Sequence, residues 1–200
     1  MRKLLCFILV IGLLILISGC YGKTKNIIKD KNFQKTFFNK EDKIAIMVSK
    51  DGYYESEIEI ENNFSPDNIK TETKVVTCYN SGSKLSTKIE GIISLHYNIG
   101  NVKIIPLTDL EAAIGYSKEK SFDFLIKPKI IRWEERWTEW SGIADKLIVE
   151  FEYFDVKSNK LINKIKFHGE CQFWNFDNEV DDLMDYKEFN QSIYNLVGIQ

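Results

Sequence analysis

Histidine, proline and cysteine are scarce in this chain of 200 residues, which contains two histidines, three prolines and four cysteines. Neither histidine belongs to a His-Glu-x-x-His pattern, and no two cysteines have Cys-x-x-Cys spacing, so the sequence predicts no metal site. A glycine-rich phosphate loop and a Gly-x-Ser-x-Gly elbow are also missing from the sequence. We therefore expect no cofactor and no enzymatic activity.

An excess of positive charge is absent too, because the formal net charge of the whole chain is −2. Removal of residues 1–19 would take away Arg2 and Lys3 and no acidic residue, which leaves a net charge of about −4. A chain of this charge does not bind nucleic acid through bulk electrostatics, and we expect no nucleic-acid partner. The remaining length of about 180 residues suits one domain.

The first 19 residues have the pattern of an export signal. Arg2 and Lys3 precede an apolar run over residues 4–17, and small residues follow directly before Cys20. The apolar run is too short for a stable spanning helix with flanks, which favours a signal peptide over residues 1–19.

The segment Ile17-Ser18-Gly19-Cys20 resembles the lipobox of bacterial lipoproteins. The resemblance implies cleavage before Cys20, acylation of Cys20 and attachment of the protein to a membrane through that lipid. Tyr21 follows the cysteine, where inner-membrane lipoproteins carry Asp, so the resemblance implies the outer membrane, on its periplasmic side, in a cell with two membranes. A plain secretory signal followed by a chance cysteine is the alternative.

Residues 20–42 are predicted to be the lipidated cysteine and a tether. Six lysines and one aspartate lie between residues 21 and 40, a composition typical of an unfolded segment. Beyond the tether, Cys78 and Cys171 are the remaining cysteines, about ninety residues apart. They could form a disulfide in an oxidising compartment or stay as two buried thiols.

Residues 43–200 are predicted to form a single α/β domain. A buried strand over residues 43–48 is followed by a Glu-rich β-ribbon insert over residues 51–80, in which four glutamates alternate with other residues. A solvated face explains this alternation better than a Ca²⁺ site, because carboxylates spaced along a strand diverge.

The rest of the domain alternates between helical and strand patterns. We expect a helix from Ser81 towards Gly100, a strand at 102–106, a short helix capped by Thr108, strands at 122–131, 147–154 and 161–174, and a final helix from Asp181 closed by Gly198. This order predicts an α/β sandwich in which helices pack on a mixed sheet and the chain ends in a C-terminal helix.

Residues 132–142 carry the most specific sequence, Arg-Trp-Glu-Glu-Arg-Trp-Thr-Glu-Trp-Ser-Gly. Together with the flanking strands, this segment resembles the bacterial lipoprotein family called domain of unknown function 4823. Its most specific positions are Glu134, Arg136, Glu139, Trp140, Ser141 and Gly142. The architecture that the resemblance implies is similar to the amino-terminal domain of the Tol-system translocation protein and to curli-secretion and penicillin-binding-protein-activator lipoproteins.

The same segment supplies the candidate partner-binding residues, which are Trp133, Arg136, Glu139 and Trp140. As a strand it would place Trp133 on one face and a charge ladder containing Arg132, Glu134 and Arg136 on the other. Tryptophan and arginine are residue types that anchor interfaces. A structural hairpin whose tryptophans cover the core is the alternative interpretation.

These features favour a membrane-anchored cell-envelope lipoprotein that acts as a non-catalytic adaptor or assembly factor and binds another envelope protein. Two alternatives remain open. One is a binder or hydrolase of glycan such as peptidoglycan, which would use the Trp and Glu residues. The other is an oligomeric secretion component, as the comparison with curli lipoproteins allows.

Overall fold

The structure is a computed structural model that describes residues 28–29, 39–61, 69–134, 145–170 and 180–199. These ranges contain eight strands, β1 (Ile28–Lys29), β2 (Ile44–Met47), β3 (Gly52–Glu61), β4 (Ile69–Cys78), β5 (Val102–Ile105), β6 (Phe124–Glu134), β7 (Lys146–Asp155) and β8 (Lys160–Glu170). They also contain three α-helices, α1 (Ser81–Ser94), α2 (Leu110–Glu119) and α3 (Lys187–Val197), and a short 3₁₀ helix at Val180–Met184.

Six of the strands form one mixed sheet in the order β1-β8-β7-β6-β2-β5. Strand β2 runs parallel to both of its neighbours, β5 and β6, whereas β6, β7 and β8 are joined as an antiparallel meander. Helices connect the parallel strands, and a tight turn with Asn159 at a φ of 62° connects β7 to β8. The predicted α/β fold with a mixed sheet and a C-terminal helix is confirmed.

Alternating side chains of the strands build a core on each face of the sheet. On one face, Ile46 and Phe151 pack with Leu85 of α1 and Phe189 of α3. A smaller cluster on the other face brings β2 and β6 against α2 and includes Ala45, Leu125 and Ala113. Helices therefore cover both faces of the sheet around β2, whose four residues are all buried.

The helix ends follow from their capping residues. The predicted cap of α2, Thr108, is wrong by one position, because the side chain of Asp109 accepts a hydrogen bond from Ala112 N at 2.9 Å. The final helix ends as predicted, with Gly198 in the left-handed region at a φ of 82°. Its start differs, since Asp181 lies in the 3₁₀ helix and α3 begins only at Lys187.

The predicted unfolded tether is interrupted by structure. Ile28 and Lys29 pair antiparallel with Lys166 and Ile165 of β8, so this part of residues 20–42 belongs to the sheet. The domain also begins before residue 43, because Lys40 O accepts a hydrogen bond from Asn98 N at 3.0 Å. Within the described ranges, no helix has the length and apolar character needed to cross a membrane.

Helix α1 starts in very close contact with the connection between β2 and β3. Asp51 of this connection accepts hydrogen bonds from Gly82 N at 2.9 Å and from Asn80 N at 3.1 Å, which satisfies amide groups at the start of the helix. A Cβ atom on Gly82 would lie only 2.1 Å from Ser49 O. The helix can approach the connection only because residue 82 has no side chain.

We expect Gly82→Ala to destabilise the protein by about 1 to 3 kcal/mol, because the added methyl group would collide with the backbone oxygen of Ser49. Gly91→Ala in the same helix is the matched control, since a Cβ there meets nothing within 4 Å and should stabilise the helix by about 0.5 to 1 kcal/mol. Chemical denaturation of both variants measures the two effects. Equal stability of the variants would contradict the close approach.

Candidate interaction surface at the ribbon

Strands β3 and β4 form a separate two-stranded antiparallel ribbon whose register runs from Gly52 opposite Cys78 to Glu61 opposite Ile69. The ribbon lies within residues 51–80, the segment for which the sequence predicts a Glu-rich insert. Ten residues in each strand give the ribbon a length of about 33 Å. It is inserted between β2 and α1, so both of its ends are fixed to the body of the domain.

The base of the ribbon is held to the sheet by Trp133. A Cβ atom on Gly52 would lie 2.5 Å from Trp133 Cβ and 2.7 Å from Ile130 Cγ2, so the ribbon backbone lies directly on these side chains. Gly52 N also donates to Ser81 Oγ at 2.7 Å, and the thiol of Cys78 donates to Trp133 O at 3.4 Å. The indole is only 2% exposed. The prediction that Trp133 belongs to a partner-binding surface is wrong, because Trp133 joins the ribbon to the core.

The predicted charge ladder beside Trp133 is also wrong at Glu134. A β-bulge between Ile130 and Arg132 shifts the register of β6 against β7, which breaks the simple alternation of faces. Glu134, which follows the buried Trp133, is itself fully buried, whereas the ladder was expected to be exposed. Its carboxylate lies 2.7 Å from Nε of Arg132, a pairing that compensates for the burial of the charge.

Several predicted site residues lie outside the described residues, so their predictions stay predictions. They are the lipidation site Cys20, the candidate contact residues Arg136, Glu139 and Trp140, and Cys171 of the suggested disulfide. Cys78, the suggested disulfide partner of Cys171, lies at the end of β4 and is half-buried.

The outer face of the ribbon base carries an apolar surface that the sequence analysis missed. Tyr53 is 53% exposed and Val75 is 58% exposed, and the register makes them diagonal neighbours on one face with Glu55 between them. Tyr79 at the end of the ribbon is 81% exposed. The inner face, with Gly52 and Tyr54, turns towards the domain. The adjacent pair Tyr53-Tyr54 gave no sign of which tyrosine would point outward.

A charged surface lies on the sheet face opposite the ribbon and α1. The register places Glu152 between Lys127 and Lys164, and Glu150 between Lys129 and Lys166. Nζ of Lys127 lies 2.8 Å from Glu152, and Nζ of Lys164 lies 2.8 Å from Glu150 and 3.2 Å from Glu152. We call these two lysine-glutamate-lysine rows the charged rows.

The charged rows shift the titration of their members. Burial acts to raise the pKa of Glu152, but hydrogen bonds from Lys127 and Lys164 outweigh it, so the pKa lies below its usual value. The hydrogen bond with Glu150 raises the pKa of Lys164. Both shifts favour the ionised pairs at neutral pH.

A groove of about 760 Å³ runs between α1 and α3, on the side of the sheet opposite the charged rows. Ion pairs bridge it, one between Lys84 and Asp181 at 2.5 Å and one between Lys88 and Asp185. Its lining combines the apolar side chains of Ile92, Leu95 and Met184 with polar and charged residues. These contacts fix the 3₁₀ helix and α3 against α1.

No protein-family model matches this sequence, and no curated protein matches it. The resemblance to domain of unknown function 4823 is therefore not confirmed. Among solved structures, the PelC dodecamer from Paraburkholderia phytofirmans is 11% identical, with a TM-score of 0.54 over 87% of this chain and 95% of the PelC chain. A point variant of that dodecamer in another crystal form gives 0.55 at 11% identity, over 88% of this chain and 98% of its own.

The lipoprotein GNA1162 from Neisseria meningitidis is 9% identical to this chain, over 75% of this chain and 96% of its own, with a TM-score of 0.39. At this level of identity the similarity to PelC establishes a common fold and nothing more.

We expect Trp133→Ala to lower the free energy of unfolding by about 3 to 5 kcal/mol, because it removes the largest side chain under the ribbon base. Tyr53→Ala is the matched control, since it removes an exposed aromatic ring from the same ribbon and should change stability by about 0.5 kcal/mol or less. Thermal and chemical denaturation measure both. An unchanged free energy of unfolding in Trp133→Ala would show that the indole is not part of the core.

We expect Glu152→Gln to destabilise the protein by about 1 kcal/mol at pH 7, because it removes the charge between Lys127 and Lys164. The pKa of Glu152 is depressed in the fold, so its stabilisation is present above its unfolded pKa and is lost as the pH falls through the folded pKa. The difference from the wild type should therefore vanish in acid. Glu119→Gln, at an exposed carboxylate beside Lys120, should show little effect at either pH.

Proposed function

We propose that this protein is a lipid-anchored assembly component of the bacterial cell envelope that works through protein contacts and not by catalysis. The ribbon carries the proposal. A two-stranded ribbon is at best marginally stable in water by itself, and this one presents Tyr53 and Val75 to solvent on its outer face. Exposed apolar side chains grouped on a projecting element are typical of a surface that is covered by a partner.

The partner that we favour is a second copy of the chain. PelC, which has the same fold over almost its whole length, is described as a dodecamer. Repetition of one contact between different patches of identical subunits generates closed rings or filaments. The role of an oligomeric envelope component is therefore supported by the fold and by the unpartnered ribbon together.

An adaptor that binds a different envelope protein is the second candidate function. The same ribbon face would serve it, since an exposed aromatic ring on a strand can anchor many protein partners. A glycan binder or hydrolase has less support. Two of the aromatic and acidic residues that suggested it, Trp133 and Glu134, are buried and do not line an open cleft.

The proposed anchor is the lipid on Cys20, and the proposed address is the outer membrane on its periplasmic side. Both rest on the lipobox-like segment and on Tyr21 after it. The pairing of β1 with β8 supports an anchored arrangement, because it fixes the chain that leads to Cys20 onto one edge of the sheet.

The test is photo-crosslinking in the native cell envelope from a photoreactive residue at Tyr53, with identification of the product by mass spectrometry. We expect a dominant adduct between two copies of the chain, which Val75→Asp should abolish while the protein stays folded. The matched control is the same probe at Leu95. Leu95 is even more exposed than Tyr53, but it follows the other end of α1, about 20 Å from the ribbon base.

The outcomes separate the candidates. A single adduct with another envelope protein, lost in Val75→Asp, would replace self-assembly by the adaptor role. If Tyr53 captures no protein, or captures the same products as Leu95, the ribbon is not an interface and the proposal fails.

A further inference from the structure

The charged rows carry more lysine than glutamate. Four lysines and two glutamates face each other across β6, β7 and β8. Both glutamates are engaged by Lys127 and Lys164, and no ion pair joins Lys129 or Lys166 to any other described residue. This part of the sheet therefore carries two more positive than negative charges among the side chains of the charged rows.

The ribbon has the opposite balance. Strand β3 contains four glutamates in ten residues, whereas β4 contains two lysines and one glutamate. The two strands together carry a net charge of −3. Acidic residues on a projecting strand attract a basic surface of matching width, and such complementarity selects the partner and its register.

The two surfaces lie on opposite faces of the same sheet. Strand β6 directs Ile130 and Trp133 towards the ribbon, and it directs Lys127 and Lys129 towards the other side. The bulge after Ile130 keeps Ile130 and Trp133 on one face although they are three residues apart. Because the ribbon is fixed on one face, it is well placed to reach the charged rows of a neighbour.

We propose that the ribbon of one copy lies on the charged rows of the next copy. The inference rests on the proposed self-assembly and assigns its interface. The negative charge of the ribbon neutralises Lys129 and Lys166 of the neighbour, and the apolar side chains Tyr53 and Val75 are covered in the same contact. Each copy uses one patch as donor and another as acceptor, so the contact repeats from subunit to subunit.

The experiment is a charge exchange across the interface in the full-length mature lipoprotein, purified in detergent. The ribbon variant is Glu55→Lys with Glu57→Lys, the row variant is Lys129→Glu with Lys166→Glu, and a third protein combines both. The control is Lys103→Glu with Lys187→Glu, which reverses two exposed lysines outside the proposed contact. Sedimentation measures the dissociation constant, and circular dichroism verifies folding.

We expect the ribbon variant and the row variant each to weaken self-association about tenfold or more, and the combined variant to restore it, because close charge pairs couple strongly across interfaces. The dissociation constant of the control variant should stay close to that of the wild type, and higher salt should weaken the wild-type assembly. If the combined variant associates no more tightly than the ribbon variant or the row variant alone, the two surfaces do not meet and the inference is overturned.

The failures can be told apart. A wild-type protein that stays monomeric at all concentrations would overturn the proposed self-assembly itself. A wild-type assembly that survives both exchanges unchanged would leave self-assembly in place and overturn only this interface.

Discussion

The contact between Gly52 and Trp133 determines how the ribbon is attached to the domain. Because Gly52 has no side chain, the ribbon backbone can lie on the indole, and the indole in turn closes the end of the core beneath it. The hydroxyl of Ser81 and the thiol of Cys78 hold the two ends of the ribbon to the same place. A larger residue at position 52 would separate ribbon and sheet, and the exposed face of the ribbon would lose its fixed orientation.

The end of β2 is a place where open α/β sheets commonly bind ligands, next to the start of the following helix. Here the carboxylate of Asp51 occupies the amide groups of Asn80 and Gly82. Ser86 adds a hydroxyl that donates to Met47 O and so joins the helix to the strand. The chain thus uses the end of β2 to hold its own ribbon in place. The candidate functional site is therefore the ribbon surface and not the end of the sheet.

Elements with regular hydrophobic periodicity could be predicted from the sequence, because each depends on residues close together in the chain. The final helix stripe and its stop at Gly198 are examples. The site could not be predicted in the same way. Burial of Trp133 depends on Gly52, some eighty residues away, and on a bulge that brings Trp133 to the same face as Ile130 although the two are three residues apart. Strand β1 was missed because two residues in a lysine-rich segment give no periodic signal.

The pairing of Ile28 with Lys166 limits the length of free chain between Cys20 and the sheet. If Cys20 carries the proposed lipid, only seven residues lie between it and the sheet, and the eight Cα-to-Cα steps from Cys20 to Ile28 span about 28 Å when fully extended. A tether that was free as far as residue 43 could reach about 80 Å. With that lipid in place, the edge strand β1 would keep the β8 side of the domain close to the lipid surface.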